Sequence, residues 1–316
     1  MKKKKLIIFG ASGFIGKNIL IRFKSKFKNY NIIGTYFRNK PNIKGVKLVK
    51  CDLTKPNQVK KIIDNAKIII QAAATTSGAK QIILRPYIHV NNNAIMNSVI
   101  TKLAYDYSVN HLIIFSCTVM YRSSKKALKE NDFNANKEMY PNYFGAGWMK
   151  VYVEKLGEFY SRLNRNKYTL IRHSNIYGPH DKFDLDKSHV FGATINKVMN
   201  SKKKEVNVWG DGKEGRDLLY IEDLVNFVEL AIKNQKVKFG LYNVGYGKLI
   251  SINNLVKKII NISGKKLKIV NDLSKKSLKN SVFLNCDKAK KEIKWKRKFS
   301  LDQGIKKTLR WYLKNY

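Results

Sequence analysis

Residues 5–20, KLIIFGASGFIGKNIL, decide the fold. Leu6 to Phe9 form an unbroken apolar run, which predicts a strand buried on both faces. Gly10, Gly13 and Gly16 follow at once, and GKNILIRFKSKF continues as a helix. Glycines at a strand-to-helix turn let the chain bend sharply and let a pyrophosphate approach the main chain. The helix N-terminus adds free N–H donors and a partial positive charge. The spacing is GxxGxxG, not the GxGxxG of many dehydrogenases. A glycine-rich turn with no ligand is the competing account. The strand before and the helix after favour a dinucleotide held by Gly10, Ser12, Gly13, Phe14, Ile15 and Gly16.

Outward from this unit, strand and helix patterns alternate. NIIGTYF, AKIIIQAA, HLIIFSC and YTLIRHS read as strands; VKKIIDNA, 87–107 and 149–163 read as helices. Continuous apolar strands separated by helices imply an α/β, Rossmann-type doubly wound parallel sheet with right-handed crossovers. After His173 the rhythm changes. A polar loop leads to a helix near 190–200, then VNVWGDG, a helix over about 221–233 and a mixed tail. The expected division is a cofactor lobe of 1–173 plus about 217–246. A smaller, partly interleaved C-terminal substrate lobe takes about 174–216 and 247–316.

Composition narrows the function classes. Of 316 residues, 44% are hydrophobic and 27% charged, so wholesale disorder is excluded. Sixty-three Lys and Arg against 22 Asp and Glu give a formal charge of +41. Such a surface attracts polyanions, but the lysines are spread along the chain and no interleaved aromatic RNA signature accompanies them. A solvated lysine surface is the preferred reading, and nucleic acid is not an expected partner. Cys51, Cys117 and Cys286 are too scattered for a disulfide scaffold, and no Cys/His ligand spacing appears, so no metal is expected. The first apolar run is too short for a signal-peptide core and no stretch is long enough to cross a bilayer, which points to the cytoplasm.

The second strand ends GTYFRNK, with no acidic residue to accept ribose hydroxyls. Arg38 and Lys40 stand where a 2′-phosphate would lie, so NADP(H) is favoured over NAD(H); a plain surface cation is the competing account. Asp52 and Leu53 follow a strand and would meet the adenine. In QAAATTSG, the small side chains of Ala72, Ala73 and Ala74 would let the cofactor lie against the sheet edge.

With GASGFIG, VNHLIIFSCTVMY, KVYVEKLGEFY, SNIYGPHDKFDLDKSHV and VWGDGKEGRDLLYIEDL in place, the chain resembles the extended short-chain dehydrogenase/reductase family. Within it, the nucleotide-sugar epimerase/dehydratase branch and its GDP-L-fucose synthase group are the nearest in pattern. The resemblance implies a Ser/Thr, a Tyr and a Lys that act together on a sugar hydroxyl. Lys150 matches the lysine, but Ala146 stands at the tyrosine position. An alanine methyl moves no proton. Either the protein is a disabled variant or the natural enzyme uses another group. Tyr143 shares a face with Lys150 only if the helix reaches that far, which Gly145, Ala146 and Gly147 argue against. Cys117 falls at the Ser/Thr position, with Thr118 one residue on. Val119 falls where the epimerase cysteine would be, and His189 matches its histidine partner.

For the substrate, the resemblance implies Asn175 and Lys187 near phosphate or sugar, Trp209 near the base and Arg216 on the pyrophosphate. Competing accounts are a loop cap for Asn175, a core position for Trp209, a buried loop histidine for His189 and an ion pair with Asp217 or Glu222 for Arg216. The helices at 87–107 and 149–163 resemble those of the family's dimer interface, so a homodimer is expected; apolar cover for the sheet within one chain is the competing account. The expected function is an NAD(P)-dependent oxidoreductase acting on a nucleotide sugar, a GDP-hexose or GDP-heptose. Hydride transfer would occur at sugar C4, as dehydrogenase, reductase or epimerase. A UDP-sugar 4-epimerase is the alternative; from another class, a non-catalytic cofactor-sensing or RNA-binding protein.

Overall fold

A computed structural model describes residues 3–76, 82, 84–137, 139–275 and 277–316. In it the opening apolar run becomes β1 (Lys4–Phe9), with Leu6, Ile7, Ile8 and Phe9 fully buried. The chain then turns through the glycines into α1 (Phe14–Lys26). There follow β2 (Tyr30–Tyr36), β3 (Lys47–Lys50), α2 (Pro56–Ile63), β4 (Ala66–Gln71), α3 (Asn91–Asp106), β5 (His111–Phe115), α4 (Phe144–Arg162) and β6 (Lys167–His173). The second half carries β7 (Asn175–Tyr177), α5 (Val190–Met199), β8 (Glu205–Trp209), β9 (Gly215–Tyr220), α6 (Ile221–Asn234) and β10 (Phe239–Val244). The chain ends with β11 (Leu249–Ser251), α7 (Ile252–Ser263), β12 (Lys268–Asp272), α8 (Asp287–Ile293) and α9 (Leu301–Asn315).

Seven strands form one sheet in the order β10-β6-β5-β4-β1-β2-β3. Every neighbouring pair is parallel, with Ile8 opposite Ile70 and Ile114 opposite Leu170. Strand order reverses between β1 and β4. In doubly wound sheets the ligand crevice opens there, at the carboxyl ends of the strands. The alternation of side chains along β1 explains the two covered faces. Leu6 and Ile8 join Ile19, Leu20, Leu224 and Val228 on the α1/α6 side. Ile7 and Phe9 join Met96, Ile100, Met149 and Val153 on the α3/α4 side.

Outside this sheet, β7 and β11 flank β9, and β8 pairs with β12. The late segment returns to the first half. Leu128 donates its N–H to the Phe283 carbonyl at 2.9 Å, and Asn285 donates to the Leu128 carbonyl at 2.8 Å. No helix among the described residues is long and apolar enough to cross a membrane.

One boundary departs from the sequence reading. The helix bearing Lys150 begins at Phe144, so Gly145, Ala146 and Gly147 are helical. The reason is packing. Gly147 is buried against the Met139 sulfur, leaving no room there for a Cβ. Close approach, not chain breaking, explains this glycine.

Candidate active site

The glycine turn forms a cradle open to the crevice. Gly10 has φ +75°, and a Cβ added there would lie 2.6 Å from the Ala73 backbone. A Cβ on Gly16 would collide with the Gly10 carbonyl, which lets α1 press against the turn. Thr35 fixes the bend: its carbonyl accepts from the Ala11 N–H at 2.8 Å and its hydroxyl from Gly10 at 3.2 Å. Gly13 opens α1 with no side-chain cap, so the first N–H groups are left for a ligand. Ser12 is exposed, and Phe14 and Ile15 are half-buried beside it. This geometry fits a dinucleotide pyrophosphate.

Further along the crevice, Arg38 is exposed and lies 5.6 Å from the Phe37 ring centre. Asp52 caps its own turn: one carboxylate oxygen accepts from the Thr54 N–H at 3.0 Å and from its hydroxyl at 2.7 Å. Leu53 is buried, Ala72 and Ala73 are half-buried, and Ala74 is exposed. Ser77 and Gly78 of QAAATTSG lie outside the described residues.

The reactive end is built where β5, β6 and α4 meet. Lys150 donates from Nζ to the Phe115 carbonyl at 2.8 Å, so its charge sits at the end of β5. Cys117 lies within its field. Burial raises the thiol pKa, and Lys150 opposes that rise. Thr118 is half-buried and uses its carbonyl to accept from Tyr121. Ala146 stands one turn before Lys150, half-buried. Tyr143 heads the same helix, half-buried, with Arg216 and Cys117 as electrostatic neighbours. Its phenol pKa is raised by burial, and Arg216 acts the other way.

Two features were missed by sequence reading. The first is the anchor of α4. Glu154 receives two bonds from Arg172, at 2.9 and 2.6 Å, and a third from the Ser116 hydroxyl at 2.6 Å. Both charged side chains are about 95% buried, at 4% and 5% exposure. Arg172 also donates to the Tyr121 hydroxyl at 2.8 Å and the Glu130 carbonyl at 2.9 Å. This network clamps the helix bearing Lys150 to β5 and β6. Its only signal in the sequence was Glu154 one turn after Lys150. The second is His173, at the end of β6, whose ring meets the Phe115 ring edge-on at 6.0 Å.

On the substrate side, Asn175 donates to the Asp217 carbonyl at 3.2 Å. His189 precedes α5 and is exposed rather than buried, and its electrostatic neighbours include His89 and His173. Lys187 is exposed, its N–H bonded to Asp184 at 2.7 Å. Trp209 is 41% exposed, with Lys197 Nζ 5.6 Å from its ring centre, so it is no core tryptophan. Arg216 pairs with neither Asp217 nor Glu222. Its guanidinium donates to the carbonyls of Gly215, Asn280 and Leu278 at 2.9, 2.9 and 2.8 Å. Asp217 is instead bonded by backbone N–H groups of Tyr246, Gly247 and Leu284, while Glu222 meets Lys307. Arg216 thus holds the segment 278–280, which borders a cavity of about 450 Å³ lined by Tyr140, Asn142, Gly210, Asp211, Ser277 and Leu278.

The family model described as "NAD dependent epimerase/dehydratase family" matches residues 6–245, well over half of the chain. The chain belongs to this family. GDP-L-colitose synthase of Yersinia pseudotuberculosis is 29% identical over 320 residues, covering 98% of each chain. GDP-L-fucose synthase of Escherichia coli (strain K12) is 27% identical over 256 residues, covering 77% of this chain and 79% of the relative. Among solved structures, UDP-glucose 4-epimerase of Thermotoga maritima, determined with UDP-glucose, superposes with a TM-score of 0.85. That alignment has 23% identity and covers 98% of this chain and 99% of the other. The Rossmann-type α/β fold and the short-chain dehydrogenase/reductase assignment therefore stand, and this family member is an NAD(P)-dependent enzyme. Bound nicotinamide would supply the acceptor or donor of a hydride, and the residues that would hold such a cofactor are the cradle at Gly10 to Gly16, Lys150 and the small residues Ala72 and Ala73.

Proposed function

We propose that this enzyme moves a hydride at C4 of a sugar carried on a nucleoside diphosphate, with a GDP-hexose or GDP-heptose as substrate. The observation that carries the reading is the Lys150 ammonium at the Phe115 carbonyl. Cys117 lies within the field of this ammonium. The relatives named above act on GDP-sugars by name, which supports the choice of base. Trp209 offers an exposed indole face for that base, and the exposed Lys187 offers a donor for the diphosphate, toward which Asn175 and Arg216 would have to exchange part of their present bonds. Val119 in place of a thiol disfavours double epimerisation, leaving a reductase, dehydrogenase or single-centre epimerase.

NADP(H) is the proposed cofactor, because Arg38 is exposed at the end of β2 where a 2′-phosphate would sit. The division into a cofactor lobe of 1–173 with 217–246, and a substrate lobe of 174–216 and 247–316, is part of the same proposal. So is a homodimer: Phe144, Trp148, Tyr152 and Phe159 form an exposed stripe along α4, and Tyr152 bonds Ser98 on α3 at 2.9 Å. The enzyme is proposed to work in the cytoplasm.

Thermal shift with a nucleotide panel tests the substrate. A ligand that binds only the native state raises the melting temperature by mass action. GDP should protect more than UDP at equal concentration. Stronger protection by UDP would favour a UDP-sugar 4-epimerase, and protection by neither would end the nucleotide-sugar reading.

A further inference from the structure

We propose that Ser123 and Ser281 are positioning residues, a clasp that ties one wall of the nucleotide cleft to the loop leaving β5. The inference rests on the hydride-transfer reading above and deepens it. Hydride transfer needs the sugar held in register with the cofactor, and a misplacement of about 1 Å is costly. The glycine cradle belongs to β1 and α1, whereas the second cleft is built largely from residues after 209. A physical tie between the two halves must set their spacing.

The strap 278–285 is that tie. On one side it meets β9. The Ser281 hydroxyl accepts from the Gly215 N–H at 2.9 Å, the Leu278 and Asn280 carbonyls accept from Arg216, and Leu284 donates its N–H to Asp217 at 3.1 Å. On the other side it meets the loop that follows β5. Ser123 Oγ donates to the Asn280 side-chain oxygen at 2.8 Å and accepts from the Ser281 N–H at 3.0 Å. Ser124 donates its N–H to the Ser281 carbonyl at 3.0 Å, and the Leu128 bonds to Phe283 and Asn285 continue the pairing. Ser281 therefore bonds β9 through its hydroxyl and the 123–124 loop through its main chain. A hydroxyl suits such a joint, because it donates and accepts at once on a short side chain.

Both ends of the tie lead to the site. Little slack separates Ser123 from the Phe115 carbonyl that holds Lys150. Ser116 is bonded to the Ile171 carbonyl and to Glu154, and Tyr121 donates its N–H to the Thr118 carbonyl at 3.0 Å. At the other end, Ser277 and Leu278 line the 450 Å³ cavity, which Tyr140 and Asn142, just ahead of α4, also line. Loosening the two serines would let the strap side of the cavity shift against the end of β5.

The test uses the full-length protein, a GDP-hexose and NADP(H). In the Ser123→Ala, Ser281→Ala double variant kcat should fall roughly tenfold, while KM for the GDP-hexose stays within about twofold. Thermal protection by GDP alone and by NADPH alone should match wild type, because each ligand's own contacts are left in place. Ser123→Ala should lose part of the turnover, and Ser123→Thr, which keeps the hydroxyl, should retain it. Full kcat in the double variant would overturn the inference. So would a loss matched by weaker protection from GDP or NADPH, since that marks a role in folding or in one ligand site only. If the double variant fails to fold, the exposed Ser123 decides: equal kcat in Ser123→Ala and Ser123→Thr overturns the clasp. A wild type that GDP protects but that turns over no GDP-hexose ends the hydride-transfer reading, and this inference with it.

Discussion

Ala146 stands at the position proposed for the family's tyrosine, where its methyl moves no proton. Its methyl sits one turn before a lysine that is fully placed by the Phe115 carbonyl. Ala146→Tyr returns a phenol to that turn, and general acid–base catalysis of this kind is worth on the order of 100-fold. Turnover of a nucleotide sugar should therefore rise, as measured by nicotinamide absorbance at saturating substrate; no rise would mean that the site is misplaced. Gly10 is the opposite case, a residue whose identity geometry dictates. With φ +75° and the Ala73 backbone at 2.6 Å, Gly10→Ala meets both strain and collision, and the strain alone costs about 1–3 kcal/mol. Cofactor binding, followed by NADPH fluorescence, should be lost or weakened at least tenfold. The glycine spacing made this position readable.

At the scale of elements, α4 is the helix on which the site depends. Its existence was legible from KVYVEKLGEFY, but its start was not, because Gly145 and Gly147 look like breakers until Met139 is seen packed on Gly147. Its anchor was legible only as a spacing. Glu154, Arg172 and Ser116 come from α4, β6 and the end of β5. Removing one member of a buried pair strands the other charge, at about 3–5 kcal/mol. Glu154→Ala should lower the denaturant midpoint accordingly, and also displace Lys150 and weaken cofactor binding. An Arg172→Met, Glu154→Leu double variant should recover much of the stability, since no buried charge is left unpaired.

For the molecule as a whole, histidines held below their ordinary pKa contribute to acid sensitivity. His111 is buried, with Nε2 at 2.7 Å from the Thr169 hydroxyl, and its pKa falls to about 3 through burial and then Lys167. His173 and His180 are each depressed to about 4, again chiefly by burial. Below the ordinary value of 6.5, the unfolded chain binds protons that the folded chain refuses. Stability present above pH 6.5 is therefore lost as pH falls through this window toward 3. His111→Gln should make that acid limb shallower in melting temperature against pH, though its ceiling at neutral pH will be lower if packing suffers. Assembly is tested at the same scale. Tyr152→Arg with Phe159→Arg places charge on the exposed stripe of α4 and should shift a dimer to monomer in sedimentation equilibrium.

By itself the sequence determined the layered α/β fold, the glycine cradle and the position of Lys150. These depend on local periodicity and on short spacings along one strand–turn–helix unit, where neighbours in sequence are neighbours in space. The tertiary structure alone decided that Arg216 grips the carbonyls of Leu278 and Asn280 and that Glu154 is sealed against Arg172. Each of those facts joins segments far apart in the chain. Their partners are main-chain carbonyls or buried charges, which no residue pattern announces before the sheet brings them together.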